Sequence, residues 1–99
     1  MCYTPFMIKT FKCKETQKVY QRAFSKKLPH DIQRASYKKL LMIDASINID
    51  DLRIPPANRL EKLSGDREGQ YSIRINKQYR ICFLWENESA FDVEIVDYH

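Results

Sequence analysis

The stretch "QYSIRINKQYRICFLWENESAFDVEIVDYH" (residues 70–99) decides the fold. Tyr71, Ile73 and Ile75 occupy alternate positions, as do Tyr79, Ile81, Phe83 and Trp85, and then Phe91, Val93 and Ile95. A period of two places each set on one face of an extended strand. The polar runs "NKQ" (76–78) and "NES" (87–89) are short enough to be tight turns, so the three strands are antiparallel neighbours. These ten apolar and aromatic side chains are expected to form the core. The opposite face carries Ser72, Arg74, Arg80, Cys82, Asp92, Glu94 and Tyr98, which gathers two guanidinium groups and a phenol on a sheet surface where ordinary polar coverage would also suffice.

Working outward, "RLEKLS" (59–64) reads as one more strand, joined to the meander by a "GDREG" turn (65–69) whose Gly and Asp suit the backbone of a turn. "SINIDDLRIPPANR" (46–59) reads as a helical turn followed by a loop, because paired prolines remove donors from any ladder. A helix opens near "PHDIQ" (29–33), where Pro suits the first turn and Asp31 the positive end of the dipole, and runs to about Ser46. Its core side is expected to hold Ile32, Ala35, Leu40, Leu41 and Ile43. An earlier helix in "KETQKVYQRAFSKKL" (14–28) carries a stripe of Val19, Tyr20, Ala23 and Phe24 and is ended by Pro29. "FMIKTF" (6–11) is rich in strand formers and predicts a first strand. The expectation is an α+β fold, an N-terminal strand and two helices packed on one face of a mainly antiparallel, roughly five-stranded sheet. One domain over 1–99 follows, since 99 residues bury roughly 60–65% of the unfolded surface around a single core.

The formal charge is +4, unevenly spread. Residues 1–50 hold ten Lys/Arg against four Asp/Glu, and residues 51–99 hold seven against nine. A basic half fits a polyanionic or acidic partner, although a solvated Lys-rich helix face has the same composition. Three cysteines (Cys2, Cys13, Cys82) with no C-x-x-C spacing indicate neither a disulfide framework nor a zinc site, which suits a reducing cytoplasm. No apolar run approaches the ~20 residues of a membrane span, and "MCYTPFMIKTF" lacks the regions of a signal peptide. No cofactor, metal or membrane partner is expected.

The order strand, two helices and meander, with "LSGDREGQYSIRIN", "QYRICF" and the terminal "VEIVDYH", resembles the HigB toxins of the RelE/ParE superfamily over roughly residues 7–99. Because the similarity begins at Met7, "MCYTPF" (1–6) reads as a candidate leader extension or start-site choice. The resemblance implies a toxin of a type II toxin–antitoxin system. It would enter the ribosomal A site, contact rRNA through its basic helices, cleave translated mRNA without a metal, and be held inactive by a HigA-like helix-turn-helix antitoxin.

Metal-free RNA cleavage needs a base for the 2′-OH, cationic donors for the phosphate and an acid for the leaving 5′-oxygen. The resemblance assigns Arg80 to the phosphate, a task for which a planar guanidinium is suited. Histidine as a residue type ionises near pH 6.5, so His99 is a candidate acid or base. Tyr98 is placed to orient the 2′-OH or stack on a base, and Asp97 to hold a neighbouring cation or imidazole. Strict alternation sends Asp97 and His99 to the face opposite Tyr98 and Arg80, so the strand is expected to end or twist before Asp97. The family carries a histidine and, directly before the Gly-Asp turn, a lysine; Glu61 and Ser64 stand there instead. Lys62, two residues from Ser64, is a candidate to restore the charge, and Glu61 a candidate base. Arg74, Arg67 and Ser64 are candidate RNA contacts.

Two other readings share the fold: a ParE-like inhibitor of DNA gyrase, and a toxin that occupies the ribosome without cutting. A plain RNA-binding module lacks the aromatic motifs or GXXG loop of the common types, and no helix-turn-helix signature marks an antitoxin.

Overall fold

A computed structural model of the 99-residue chain describes residues 8–21, 23, 28–54, 56–65, 68–86 and 88–97. Two helices, α1 (Lys14–Tyr20) and α2 (His30–Ala45), are followed by two 3-10 turns (Ile49–Arg53 and Pro56–Asn58) and by strands β1 (Glu61–Lys62), β2 (Gln70–Arg74), β3 (Tyr79–Glu86) and β4 (Ser89–Asp97). The strands form one antiparallel sheet in the order β1-β2-β3-β4. The architecture is α+β, as the meander and the helical stripes predict. Among the described residues the sheet has four strands, and the expected first strand is represented by two parallel bridges, Ile8 to Ala90 and Phe11 to Val93. Met7 and the residues before it lie outside the described residues, with Phe24 of the first helical stripe.

The N-terminal segment covers the open edge of β4. Lys9 N–H donates to the Ala90 carbonyl at 2.8 Å and Lys12 N–H to the Val93 carbonyl at 3.0 Å, while Asp92 N–H and Val93 N–H donate to the Thr10 hydroxyl and carbonyl at 2.8 and 3.1 Å. Further along the same edge Ile95 N–H donates to Oγ1 of Thr16, a fully buried threonine on α1. An edge strand with unpaired amides invites intermolecular pairing, and here those amides are occupied within the chain. The other edge is only two residues long.

Ile73, Ile81, Phe83 and Val93 are fully buried against Leu40, Ile43 and Val19 of the helices and Leu52 of the connector. Each such side chain contributes roughly 1.5–3 kcal/mol relative to an exposed one. Tyr71, Ile75, Trp85 and Ile95 pack around this centre. Phe91, expected beside Val93 and Ile95, does not join them. Cys82 pairs with Glu94 and Leu84 with Phe91, so Asp92 and Val93 together oppose Phe83. This β-bulge, with Asp92 in the left-handed region at φ 52°, reverses the alternation and puts fully buried Ala90 on the core face instead.

On α2 the buried stripe is Ile32, Ser36, Leu40 and Ile43, whereas Leu41, expected on the core side, is 43% exposed and Ala35 is half-buried. The spacing of four, four and three follows a helix more closely than adjacent Leu40 and Leu41, which lie about 100° apart. Ala23, expected on the core stripe of the first helix, is exposed, because α1 ends at Tyr20. Tyr20 turns instead toward α2 and donates its hydroxyl to Asp44 at 2.6 Å, a carboxylate that also accepts from Ile8 N–H at 3.1 Å. Burial, and then the Asp44 hydrogen bond and charge, push the Tyr20 phenol well above its ordinary range.

Candidate phosphate-binding site

Arg80 lies near the start of β3, paired with Arg74 of β2 and Val96 of β4 on the face away from the helices. That face is less open than simple alternation predicts, since Ser72 and Cys82 are fully buried. The guanidinium helps to cover them. Arg80 Nε donates to Ser72 Oγ at 2.9 Å, Nη2 donates to the Arg59 carbonyl at 2.8 Å, and Nη2 lies 3.6 Å from a Glu61 carboxylate oxygen. The Arg80 side chain retains 13% of its exposure and that of Glu61 56%. An ion pair so open on one side adds well under ~1 kcal/mol, and the neutral acceptors do most of the positioning.

The Arg59 carbonyl reaches Arg80 because the connector turns sharply there. Arg59 adopts φ 46°, unusual for a side chain of its size, and its N–H donates to the Pro56 carbonyl at 3.0 Å. Asn58, just before it, is fully buried: its Nδ2 donates to the Leu52 carbonyl at 3.1 Å and to Met42 Sδ at 3.8 Å, and its Oδ1 accepts from Lys39 Nζ. Burial lowers the pKa of Lys39. Nothing in "PPANR" separates this asparagine from an ordinary loop residue, and neither it nor Arg59 was a candidate on sequence grounds.

The remaining candidates are distributed as follows. Glu61 pairs with Ser72, on the Arg80 face, and Lys62 pairs with Tyr71, on the other face. Lys62 therefore points away from Arg80, a correction to the idea that it replaces the family lysine; the period of two that separates the faces is the reason. Ser64 is exposed beyond the end of β1. Arg74 donates from Nε to the Asn76 carbonyl at 3.0 Å and lines an open cleft of about 390 Å³ with Lys39, Ala57, Arg59, Ile75, Asn76 and Lys77. Contrary to the expectation from alternation, β4 does not end before Asp97: Asp97 remains in the ladder opposite Tyr79, on the face away from Arg80, and accepts from Gln78 Nε2 at 3.2 Å. Arg67, Tyr98 and His99 lie outside the described residues.

Geometrically this is a small α+β domain presenting an anchored guanidinium on a sheet face. The same fold occurs in the YoeB-YefM complex from Staphylococcus aureus, with a TM-score of 0.61 over 97% of this chain and 99% of that one at 19% identity. The sequence narrows the class. Residues 9–99 match the HigB-like toxin model, described as the RelE-like toxin of the type II toxin-antitoxin system HigB. Toxin HigB-1 of Vibrio cholerae serotype O1 is 46% identical over 65 residues, 66% of this chain and 68% of that protein. Endoribonuclease HigB of Proteus vulgaris is 33% identical over 94 residues, 94% of this chain and the whole of that protein. The chain belongs to the HigB-like toxin family, and as a type II toxin it has an antitoxin for a partner. Among the described residues no helix is long and apolar enough to cross a membrane.

Proposed function

We propose that this chain is a ribosome-dependent, metal-independent endoribonuclease that cleaves translated mRNA, acting as a single cytoplasmic domain restrained by a HigA-like helix-turn-helix antitoxin. The observation that carries the reading is Arg80, fixed through the neutral Ser72 Oγ and Arg59 carbonyl oxygens. A guanidinium held in place before substrate arrives stabilises charge developing on a phosphate without reorganising during the reaction. The activity in the name of the Proteus vulgaris relative supports the same chemistry.

In this mechanism a base removes the 2′-OH proton, O2′ attacks the adjacent phosphorus, and the P–O5′ bond breaks to leave a 2′,3′-cyclic phosphate and a 5′-OH. Glu61, on the Arg80 face with a carboxylate oxygen 3.6 Å from the guanidinium, is the base in this reading. His99 returns a proton to the leaving O5′, Tyr98 orients the nucleotide, and Asp97 acts from the neighbouring register position through Gln78. Ser64, exposed just beyond β1, is an RNA contact in this reading, and Arg67 is another.

The test is to map mRNA 5′ ends in a translating extract with wild type, Arg80→Ala and His99→Ala. New ends within coding regions, lost in both variants, are the expected result. Translation arrest without new ends would support the non-cutting toxin that Ser64, and Lys62 on the face opposite Arg80, favour, and loss of supercoiling without new ends would support a gyrase inhibitor.

A further inference from the structure

We infer that the cleft lined by Lys39, Arg59, Arg74 and Lys77 is a second phosphate subsite, which holds the RNA strand as it continues away from the phosphate at Arg80; the inference rests on the endonuclease reading above. Four of the seven lining residues are cationic and none is acidic. Such a balance is unfavourable for the free protein and is relieved by a polyanion.

Four features make this more than a basic patch. Arg74 and Arg80 are direct cross-strand partners, so their Cβ atoms are about 4.5–5.5 Å apart, where like charges repel. The repulsion is relieved when consecutive phosphates of one strand are shared between them. Arg59 joins the two sites physically: its carbonyl accepts from Arg80, and the same residue, with φ 46°, lines the cleft. Lys39 is held at the cleft wall by the neutral Asn58 amide, and its partly desolvated ammonium has reason to take an anion. Ile75 adds an apolar residue to the lining. An acidic protein segment would satisfy the same charges, but continuity with Arg80 favours RNA.

The experiment measures binding of a short single-stranded 2′-O-methyl oligoribonucleotide, which cannot be cleaved, by fluorescence anisotropy from 50 to 200 mM salt. It uses the full chain as wild type, Lys77→Gln, Arg74→Gln/Lys77→Gln and Arg74→Lys/Lys77→Arg, each checked by circular dichroism and thermal melting. The expected result is about tenfold weaker binding for the double Gln variant at low salt, a slope of log affinity against log salt reduced by about 1.4, and recovery in the charge-preserving variant. Unchanged affinity and slope would overturn the subsite, as would no measurable binding by wild type at 50 mM salt. If the Gln variants bind RNA as wild type does but lose affinity for the antitoxin, the cleft belongs to the protein partner and the subsite is wrong. Loss of cleavage in Arg80→Ala with normal binding by the cleft variants would leave the nuclease reading standing and remove only the subsite; cleft-dependent binding without cleavage would do the reverse.

Discussion

Replacing Asn58 with Ala tests whether one buried amide holds the connector and, through it, the candidate site. The amide donates to the Leu52 carbonyl and accepts from Lys39 Nζ, in a residue with no exposure. Removing the donor leaves a buried carbonyl unsatisfied, which costs about 1–3 kcal/mol. Removing the acceptor takes the partner from an ammonium that already bears a desolvation penalty; with Lys39 only partly buried, about 1 kcal/mol is a fair addition. The sum is about 3 kcal/mol, or roughly 12–24 °C in Tm for a domain of this size. Urea unfolding followed by circular dichroism reads it as a lower midpoint with little change in slope. Arg59→Gly is the control: it keeps the carbonyl that accepts from Arg80, relieves a left-handed backbone, and is expected within about 0.5 kcal/mol of wild type. If Asn58→Ala melts within a few degrees of wild type, the connector is held by something other than this amide.

Ser36, fully buried on α2, has a hydroxyl with no hydrogen-bond partner, so Ser36→Ala is expected to be neutral or to stabilise by up to about 1 kcal/mol, measured by the same urea titration. Tyr20→Phe removes the hydrogen bond to Asp44 and is expected to cost about 1.5 kcal/mol at pH 7. Because the Tyr20 pKa is raised by folding, the unfolded chain loses its proton first as pH rises past about 10; that stability is present below pH 10 and declines above it, so the wild-type and Tyr20→Phe stability curves converge in strong alkali. At the bulge, Asp92 has φ 52°, so Asp92→Gly is expected to be near neutral and Asp92→Val to cost about 1–2 kcal/mol, read as the difference in Tm between the two.

The sheet was legible because its signal is local and repeated. Tyr79–Glu86 forms a strand over the whole run that alternation marks, and the antiparallel order follows from the short turns on either side. What alternation misplaced was Phe91, because a bulge depends on one residue entering the left-handed region and on the N-terminal segment binding there, and neither leaves a mark in a hydropathy pattern. The face on which Arg80 lies was legible from parity. Its surroundings were not, since Arg59, Glu61 and Ser72 come from three separate segments whose meeting depends on the register of a two-residue strand and on a buried asparagine in the connector. The opposite placement of Glu61 and Lys62 illustrates the point: adjacent in sequence, they differ only in which face of β1 they leave by.

That placement bears on the chemistry. Glu61, at the position where the resemblance leads to the expectation of a histidine, puts a carboxylate oxygen 3.6 Å from the Arg80 guanidinium. A buried carboxylate there would cancel the charge that is to meet a phosphate. This one is 56% exposed, with two neutral oxygens, those of Ser72 and Arg59, taking the nearer contacts at 2.9 and 2.8 Å. Water screens most of the attraction, so in the proposed mechanism the guanidinium keeps its field toward an incoming phosphate and the carboxylate is the group that receives a proton. Glu61→Gln separates the two effects: it preserves size and removes both charge and basicity, so RNA affinity is expected to hold or rise while cleavage falls. Affinity and cleavage falling together would mean that Glu61 acts only by holding Arg80 in place.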